Sequence, residues 1–565
     1  MISQAREHCR RETRPPRGDH DLAPAPPSSR PTVILRPVIN RRAALAGVNL
    51  LAVLFALTLS LGAAAGPVRA DDSAGGIPDR PDKLHYPPLK FTPPDPGAYR
   101  VKLAGGIPAY LVPDHTAPLV NIVVVMRAGS DLDPAGKEGL AEMTAALLTR
   151  SGTKSMTAEA LEERVAYLGA QLESGTGSGR GMFGFGGVPV GSTESRVSLN
   201  LLSKDVDEGL ALLTSCLRDC AFQSDRVELR RQQDLQDIKR RNDESSSIEE
   251  YEWGYLLDGA GHWSNRYPTE ASLQSITAAD MVAFQHRYYG PKNFVLAVSG
   301  DFEKGTMVRK LEAAFARWPV SGENPGPPAA PTEAPRAGWF VADKDVNQTR
   351  VSIGLRAIDR YDPDFYAAQV MNFILGGGGF SSRLVNSIRS DEGLAYQVRS
   401  SLEGGVYYAG PWRIAYQTKA RSTARATELA LDELKRIVDQ PVSAEELDTA
   451  KKSFVEGFPA RFPNAQSIAG GLAADEVTGR FQRDPHFLAE YGQRFDAVTS
   501  ADVQRVARRL LDPAKMTFLF VGNATEMALS DGKHDVTLSK LAGTDLTRVP
   551  LRDPLTMKEI AGGGK

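Results

Sequence analysis

Residues 376–396, GGGGFSSRLVNSIRSDEGLAY, open with four consecutive glycines and close on a Tyr that follows an Arg by seven residues. Glycine reaches backbone conformations that other residues avoid, so the run predicts either a helix end with a tight turn or a flexible wall. Both Arg389 and Tyr396 carry hydrogen-bond donors. From the pair alone we expect the guanidinium to cap its helix or form a salt bridge there, and the phenol to fill the core. The glycines of the run are Gly376, Gly377, Gly378 and Gly379.

A second informative stretch is GLAEMTAALLTRSGT, residues 139–153. It follows an alternating apolar strand from Val120 to Arg127, and its apolar spacing predicts a helix over 137–150. A longer, heavily charged run over 224–247 is predicted as one helix with a thin apolar stripe.

Together these stretches resemble the insulinase/pitrilysin family of zinc metallopeptidases. Residues 376–396 are similar to the signature of the family's C-terminal half, and residues 155–174 and 262–302 are similar to further family segments in the same order. The likeness extends from Val101 to Gly522. The resemblance implies a peptidase-family fold with a cleft that handles extended peptide.

The zinc motif of that family is degenerate here. The family's H-x-x-E-H usually lies in a run like GLAHFLEHMLFKGT, and along it Glu142, Ala145 and Ala146 take the places of the first His, the Glu and the second His. The resemblance places Asp237 where the family has its third ligand. A hydrolytic zinc site needs three ligands, an open position and a base, and alanine supplies neither ligand nor base. We therefore expect no catalytic zinc, and no cofactor, in this chain.

The Arg and Tyr spacing of the family is retained. In the family this pair projects from the C-terminal half towards the zinc site and steadies the substrate carbonyl and the oxyanion. The resemblance assigns that role to Arg389 and Tyr396, and peptide contact to the glycine run. A guanidinium and a phenol suit it, because both donate towards developing negative charge.

A proline-rich linker divides the chain into similar halves. Residues 319–335, PVSGENPGPPAAPTEAP, favour an extended connection. Each half opens with an apolar strand, continues with a helix and ends with an apolar strand and a turn. We predict an α+β fold of two homologous domains, each a mostly antiparallel sheet packed with helices, that form a clamshell. The predicted boundaries are a targeting segment (1–70), an extension (71–94), the first domain (95–318), the linker (319–335), the second domain (336–545) and a tail (546–565).

The N-terminal segment has the parts of an export signal. Nine Arg in residues 1–42 precede the apolar run 43–66 and a small-residue exit before Asp71. The apolar run is also long enough for a retained anchor, and Arg41-Arg42 permits a twin-arginine signal. Without residues 1–70 the formal charge falls from −2 to −8, which argues against nucleic-acid binding. We expect a periplasmic or otherwise exported protein.

These features predict a non-catalytic, substrate-handling subunit of a heterodimeric insulinase-like zinc peptidase. A zinc-bearing partner subunit would supply the metal, and peptide or unfolded protein would be the substrate. The alternatives are a stand-alone peptide-binding or scaffold protein and, third, an active metallopeptidase with an atypical site. A pure scaffold has no need of the Arg389 and Tyr396 donors, so their retention favours the first hypothesis.

Overall fold

A computed structural model describes residues 90–177, 193–316, 318 and 321–560. The predicted targeting segment, most of the N-terminal extension and most of the glycine-rich run 175–191 lie outside these ranges. Within them, no helix has both the length and the apolar character needed to cross a membrane.

Apolar strands of the first half form a six-stranded mixed sheet with the order β1-β2-β6-β3-β5-β4. Strands β2 and β6 run parallel, and the other neighbours are antiparallel. The central strand β3 has no exposed residue after its first, as expected when both faces of a sheet are covered. The strands are β1 (Arg100–Lys102), β2 (Pro108–Pro113), β3 (Leu119–Met126), β4 (Gln171–Thr176), β5 (Ser195–Leu202) and β6 (Phe294–Gly300).

The second half repeats the order of five of these strands as β7-β11-β8-β10-β9, and β12 adds to the outer edge of β7 in the parallel direction. Here β7 is parallel to β11, as β2 is to β6, and β8, β9 and β10 are antiparallel. The α+β prediction with two similar, mostly antiparallel sheets is confirmed. The strands are β7 (Gly338–Asp343), β8 (Gln348–Arg356), β9 (Ala395–Leu402), β10 (Pro411–Lys419), β11 (Thr517–Gly522) and β12 (Thr547–Val549).

Helices cover one face of each sheet and enclose two large apolar cores. Those of the first half are α1 (Pro96–Tyr99), α2 (Leu140–Leu147), α3 (Ala158–Tyr167), α4 (Val206–Asp219), α5 (Ser224–Lys239), α6 (Ser245–Asp258), α7 (Glu270–Ser275), α8 (Ala278–Tyr288) and α9 (Lys304–Phe315). Those of the second half are α10 (Phe365–Asn372), α11 (Thr423–Asp439), α12 (Ala444–Gly457), α13 (Ala465–Val477), α14 (Arg480–Arg483), α15 (Tyr491–Asp496), α16 (Ser500–Leu510), α17 (Ala524–Met527) and α18 (Leu538–Ala542).

The single helix predicted over 224–247 is wrong. Helix α5 ends at Lys239, where the N–H of Arg240 turns back to the carbonyl of Asp237, and α6 starts at Ser245. The intervening Asn242 and Asp243 belong to the residue types that compete with helical hydrogen bonds. The break redirects α6 towards the second sheet.

The two halves exchange helices across their remaining sheet faces. Helix α13 of the second half places Ala469, Leu472 and Ala473 against residues of β2, β3 and β6. Reciprocally, α6 of the first half packs Trp253 and Leu256 against β7 and β11. Each sheet is therefore covered on both faces, which explains why its central strands are continuously apolar.

The proline-rich linker, residues 319–335, makes hydrogen bonds with both domains. The Arg127 guanidinium donates to the Gly326 carbonyl at 2.9 and 3.1 Å, and the imidazole Nε2 of His262 lies 3.1 Å from the Ala329 carbonyl. From the second domain, Arg356 donates to the Glu333 carbonyl at 3.1 Å. These bonds hold the linker at both domains.

Candidate functional site

The glycine run ends helix α10 by close packing. After Asn372 the chain widens into a π-type turn over Phe373–Gly377. A Cβ at Gly376 would lie 2.6 Å from the backbone nitrogen of Ser400 on β9, and one at Gly378 would lie 2.7 Å from the Phe373 ring. Gly379 has open space around it but a φ of +59°, which favours glycine.

Close packing also requires glycine at 377, because a Cβ there would lie 2.8 Å from the side-chain amide of Asn372. Three of the four glycines are thus required by the closeness of neighbouring atoms, and the fourth by its backbone conformation. These contacts favour the reading of a helix end and tight turn.

An ion pair anchors the segment that follows. The buried Arg383 guanidinium donates to both oxygens of Glu446 on α12, at 2.6 and 2.9 Å. This pairing holds the pKa of Glu446 at about 2, well below its usual range. The chain then forms a second π-type turn, Val385–Asp391, which carries Arg389. The anchor therefore lies six residues before the guanidinium.

A register shift in β9 exposes Tyr396. Ala395 pairs with Thr418 and Val398 with Tyr416, so two residues of β9 lie opposite one residue of β10. Such a bulge re-aims side chains at sheet edges. Strand β9 is the edge of the second sheet, and Tyr396 is 79% exposed.

Arg389 lies against two exposed rings. Its guanidinium carbon is 4.9 Å from the ring centroid of Tyr396 and 4.6 Å from that of Phe380, which is itself 70% exposed. Among the described residues, no side chain or carbonyl accepts a hydrogen bond from this guanidinium. The neighbouring carboxylate of Glu392 is engaged instead by Arg425 at 2.6 Å. The structure thus brings the half-buried Arg389 and the exposed Tyr396 together, and no acceptor for either side chain lies in the part of the chain that the structure describes.

The degenerate zinc motif lies on α2. Its first turn is held by Asp133, whose carboxylate accepts from the backbone N–H groups of Gly139 and Ala141 at 2.8 and 2.7 Å. Ala145 is fully buried in the helix layer, while Glu142 and Ala146 share the more exposed face, one turn apart.

Arg230 occupies the space beside that face. Its guanidinium lies 3.2 Å from Glu142 and 2.7 Å from Asp234, one turn further along α5. Burial raises the pKa of Asp234 to about 6, against the lowering effect of Arg230. Asp237, the predicted counterpart of the third ligand, is exposed on the same helix. The α5 carboxylate that contacts Arg230 is that of Asp234.

The residues on these two helices do not fit a zinc ion. Glu142 is paired with a guanidinium, and Ala145 and Ala146 present only methyl groups. Across the described ranges there is no group of three or more His, Cys, Asp or Glu side chains placed to hold a metal.

A buried acidic cluster joins the domains at a separate place. Glu194, just before β5, accepts from the hydroxyl of Tyr407 of the second half at 3.3 Å. Arg127 lies 5.1 Å from the Tyr407 ring centroid and pairs with Asp131 at 2.9 Å. Burial raises the pKa of Glu194 to about 7, against the charges of Arg127 and Arg196. A carboxyl with a raised pKa therefore lies at the contact between the domains.

Sequence reasoning missed three residues of these sites. Phe380 lies inside the quoted stretch, but no spacing rule marks a ring four residues after the first glycine. Arg230 and Asp234 form an i, i+4 pair in a helix full of such pairs, so the pattern carries no distinguishing signal.

Comparisons with known proteins agree with this geometry. The family described as "Peptidase M16 inactive domain" matches residues 275–454. An uncharacterised zinc protease of Mycobacterium leprae is 25% identical over 424 residues, which cover 74% of this chain and 90% of that protein. The non-peptidase homolog YmxG of Helicobacter pylori is 25% identical over 360 residues, or 63% of this chain and 78% of that protein. The structure of a peptidase M16 inactive domain from Pseudomonas fluorescens superposes with a TM-score of 0.63 at 23% identity, covering 75% and 97% of the two chains.

Proposed function

Because this chain is a non-catalytic member of the insulinase-like peptidase M16 family, we propose that it is the substrate-handling subunit of a heterodimeric zinc peptidase. A separate subunit would carry the zinc ion, the attacking water and the base. This chain would contribute Arg389 and Tyr396 and half of the peptide-binding surface. The observation that carries the proposal is the half-buried Arg389 guanidinium, which lies beside the exposed Tyr396 ring and has no acceptor among the described residues.

The geometry suits a donor pair that acts on another molecule's substrate. A buried charged group is normally paired, as Arg383 is with Glu446. Arg389 instead lies beside the exposed phenol of Tyr396 and has no acceptor among the described residues. Both groups can donate to a peptide carbonyl and more strongly to an oxyanion, because hydrogen bonds to charged acceptors are stronger.

The first domain supports the division of labour. Its α2 face holds an internal ion pair between Glu142 and Arg230 where a catalytic subunit would need ligands. A relative that is 25% identical to this chain is named a non-peptidase homolog, which supports this division.

Export is part of the proposal. The Arg-rich leader, the apolar run 43–66 and the small residues before Asp71 support a mature protein that begins near Asp71 outside the cytoplasm. Mass spectrometry of the native protein would show this start. An intact residue 1–42 segment in the cytosol would contradict export and leave the rest of the proposal standing.

Reconstitution tests the division of labour. The purified chain should contain no stoichiometric zinc and cleave no peptide, whereas a zinc-bearing M16 chain from the same genome should gain peptidase activity when this chain is added. One tightly held zinc per chain, with chelator-sensitive activity in the isolated protein, would favour the atypical-peptidase alternative. Peptide binding without any gain of activity in the mixture would favour the scaffold alternative.

A further inference from the structure

Phe380 forms the second wall of the Arg389 site. Its ring is closer to the guanidinium carbon than the Tyr396 ring is, at 4.6 against 4.9 Å. The described aromatic pairs do not include Phe380 with Tyr396, and each ring lies against the Arg389 guanidinium. Both rings leave most of their surface in solvent, although a buried aromatic ring removes about 150–250 Å² from water.

The arrangement differs from other arginine–aromatic contacts of this chain in the exposure of its rings or in its open N–H edge. Arg461, Arg483 and Arg336 also lie against rings with no acceptor for the guanidinium among the described residues, but the rings that they contact are buried or half-buried. Arg164 lies 4.8 Å from the exposed ring of Tyr167, but Glu208 also accepts from it. Arg494 lies 5.5 Å from Tyr366 and is bound by the carboxylate of Asp484. In those pairs the carboxylate uses the N–H edge. Arg389 also contacts rings, but no described residue accepts a hydrogen bond from its N–H edge.

Stacked rings determine how a ligand can approach. A guanidinium held between ring faces is accessible only along its own plane, where its N–H groups form a fork. That fork matches a planar oxygen acceptor, best a carboxylate with two oxygens and next a carbonyl with one. The attraction of a cation to a ring face also holds the plane without consuming a donor.

We propose that Phe380 is a positioning residue of this site, which with Tyr396 stacks the Arg389 guanidinium so that its edge binds a planar oxygen acceptor of an extended peptide. The acceptor is a carboxylate or a main-chain carbonyl. This inference rests on the proposed substrate-handling function and adds a residue and a ligand chemistry to it. Lysine at 389 does not replace the arginine, because an ammonium has no planar fork.

Two substitutions at 380 separate stacking from apolar bulk. Phe380→Trp keeps a ring face and should keep the stack, whereas Phe380→Leu keeps apolar volume and removes the ring. Side-chain NMR of ¹⁵N-arginine-labelled full-length protein reports the stack directly, with the Arg389 signal assigned by its loss in Arg389→Lys. We expect ring-current displacement of that signal in the wild type and in Phe380→Trp, and a return towards the free-arginine position in Phe380→Leu. Tyr167→Leu, at an equally exposed ring, is the control and should leave the Arg389 signal in place.

Ligand binding is followed on the same signal. The probes are two peptides of one sequence with an acetylated N-terminus, one ending in a free carboxylate and one in an amide. Binding of the acid peptide alone identifies a carboxylate receptor, and comparable binding of both identifies a carbonyl receptor. Phe380→Leu should weaken that binding about 2- to 5-fold, the effect of one exposed cation–π contact, and Phe380→Trp should not.

Binding of neither peptide, or equal binding by Phe380→Leu and the wild type, would overturn the inference. Failure of the wider function is distinguishable from this result. If Arg389→Ala lowers turnover in the assembled peptidase while Phe380→Leu binds normally, only the role of Phe380 is lost. If Arg389→Ala has no effect on turnover, the substrate-handling function itself falls.

Discussion

The guanidinium carbon of Arg389 lies 4.9 Å from the ring centroid of Tyr396, although Arg389 belongs to a π-type turn and Tyr396 to the start of β9. The turn brings the arginine to the edge of the second sheet, and the bulge in β9 exposes the tyrosine beside it. A seven-residue spacing in the sequence thus becomes one cationic, aromatic surface in the fold.

Arg230 pairs with Glu142 on the helix of the degenerate zinc motif and with Asp234 on its own helix, and loss of these two ion pairs should lower the stability by different amounts. Arg230→Ala leaves the mostly buried Asp234 without its partner, while Glu142→Gln removes a carboxylate that is more than half exposed. We expect Glu142→Gln to cost less than about 1 kcal/mol of unfolding free energy and Arg230→Ala to cost more. Urea denaturation of both variants and of the double variant checks this. Equal, additive losses would show that Arg230 does not bridge the two helices.

The exchanged helix α13 should stabilise the opposite domain. Leu472 is 1% exposed and packs with residues of the first sheet, so Leu472→Ala should cost about 2–5 kcal/mol. Hydrogen exchange should quicken in β2, β3 and β6, which lie more than 170 residues earlier in the chain. Leu229→Ala, at a half-exposed leucine on α5, serves as the control. Faster exchange confined to the second domain would contradict the exchange of helices.

Stability should fall as the pH rises from about 4.5 to about 7. Burial raises the pKa of Glu194 to about 7 from 4.5, so in that window the folded state holds a proton that the unfolded state has lost. The contribution is full below pH 4.5 and is lost on reaching pH 7, with an upper size of about 3 kcal/mol.

Replacement of that carboxyl isolates its effect. Glu194→Gln should flatten this part of the pH profile, measured by thermal unfolding, because the amide does not titrate. Glu163→Gln, at an exposed position of α3, should leave the profile unchanged. An unaltered slope in Glu194→Gln would show that another group controls the pH dependence.

The sequence was most informative where a local pattern repeats. Alternating apolar residues predicted a strand from Val120 to Arg127, and the actual β3, Leu119–Met126, differs from these bounds by one residue at each end. The order of segments predicted the family, which the matched inactive domain and the relatives confirm.

Contacts between distant segments were beyond the sequence. The covering of the first sheet by α13 depends on Leu472 meeting β2 and β6, and no periodicity encodes the partner of an apolar helix face. The end of α5 at Lys239 was missed because Asn242 and Asp243 are tolerated in helices and act only through competing turns. The contact of Arg389 with two rings depends on where the glycine run and the β9 bulge place Phe380 and Tyr396.

The substrate-handling claim is tested most directly by turnover in the assembled peptidase. Arg389→Ala and Tyr396→Phe should each lower turnover about 10²–10³-fold while assembly is retained, the usual effect of losing one donor to an oxyanion. The double variant should lose less than the product of the single losses, because both groups serve one developing charge. Arg399→Ala, at an exposed arginine on the same strand, is the matched control and should keep near wild-type turnover. Full turnover by a folded, assembled Arg389→Ala complex would contradict the account and leave the chain as a scaffold.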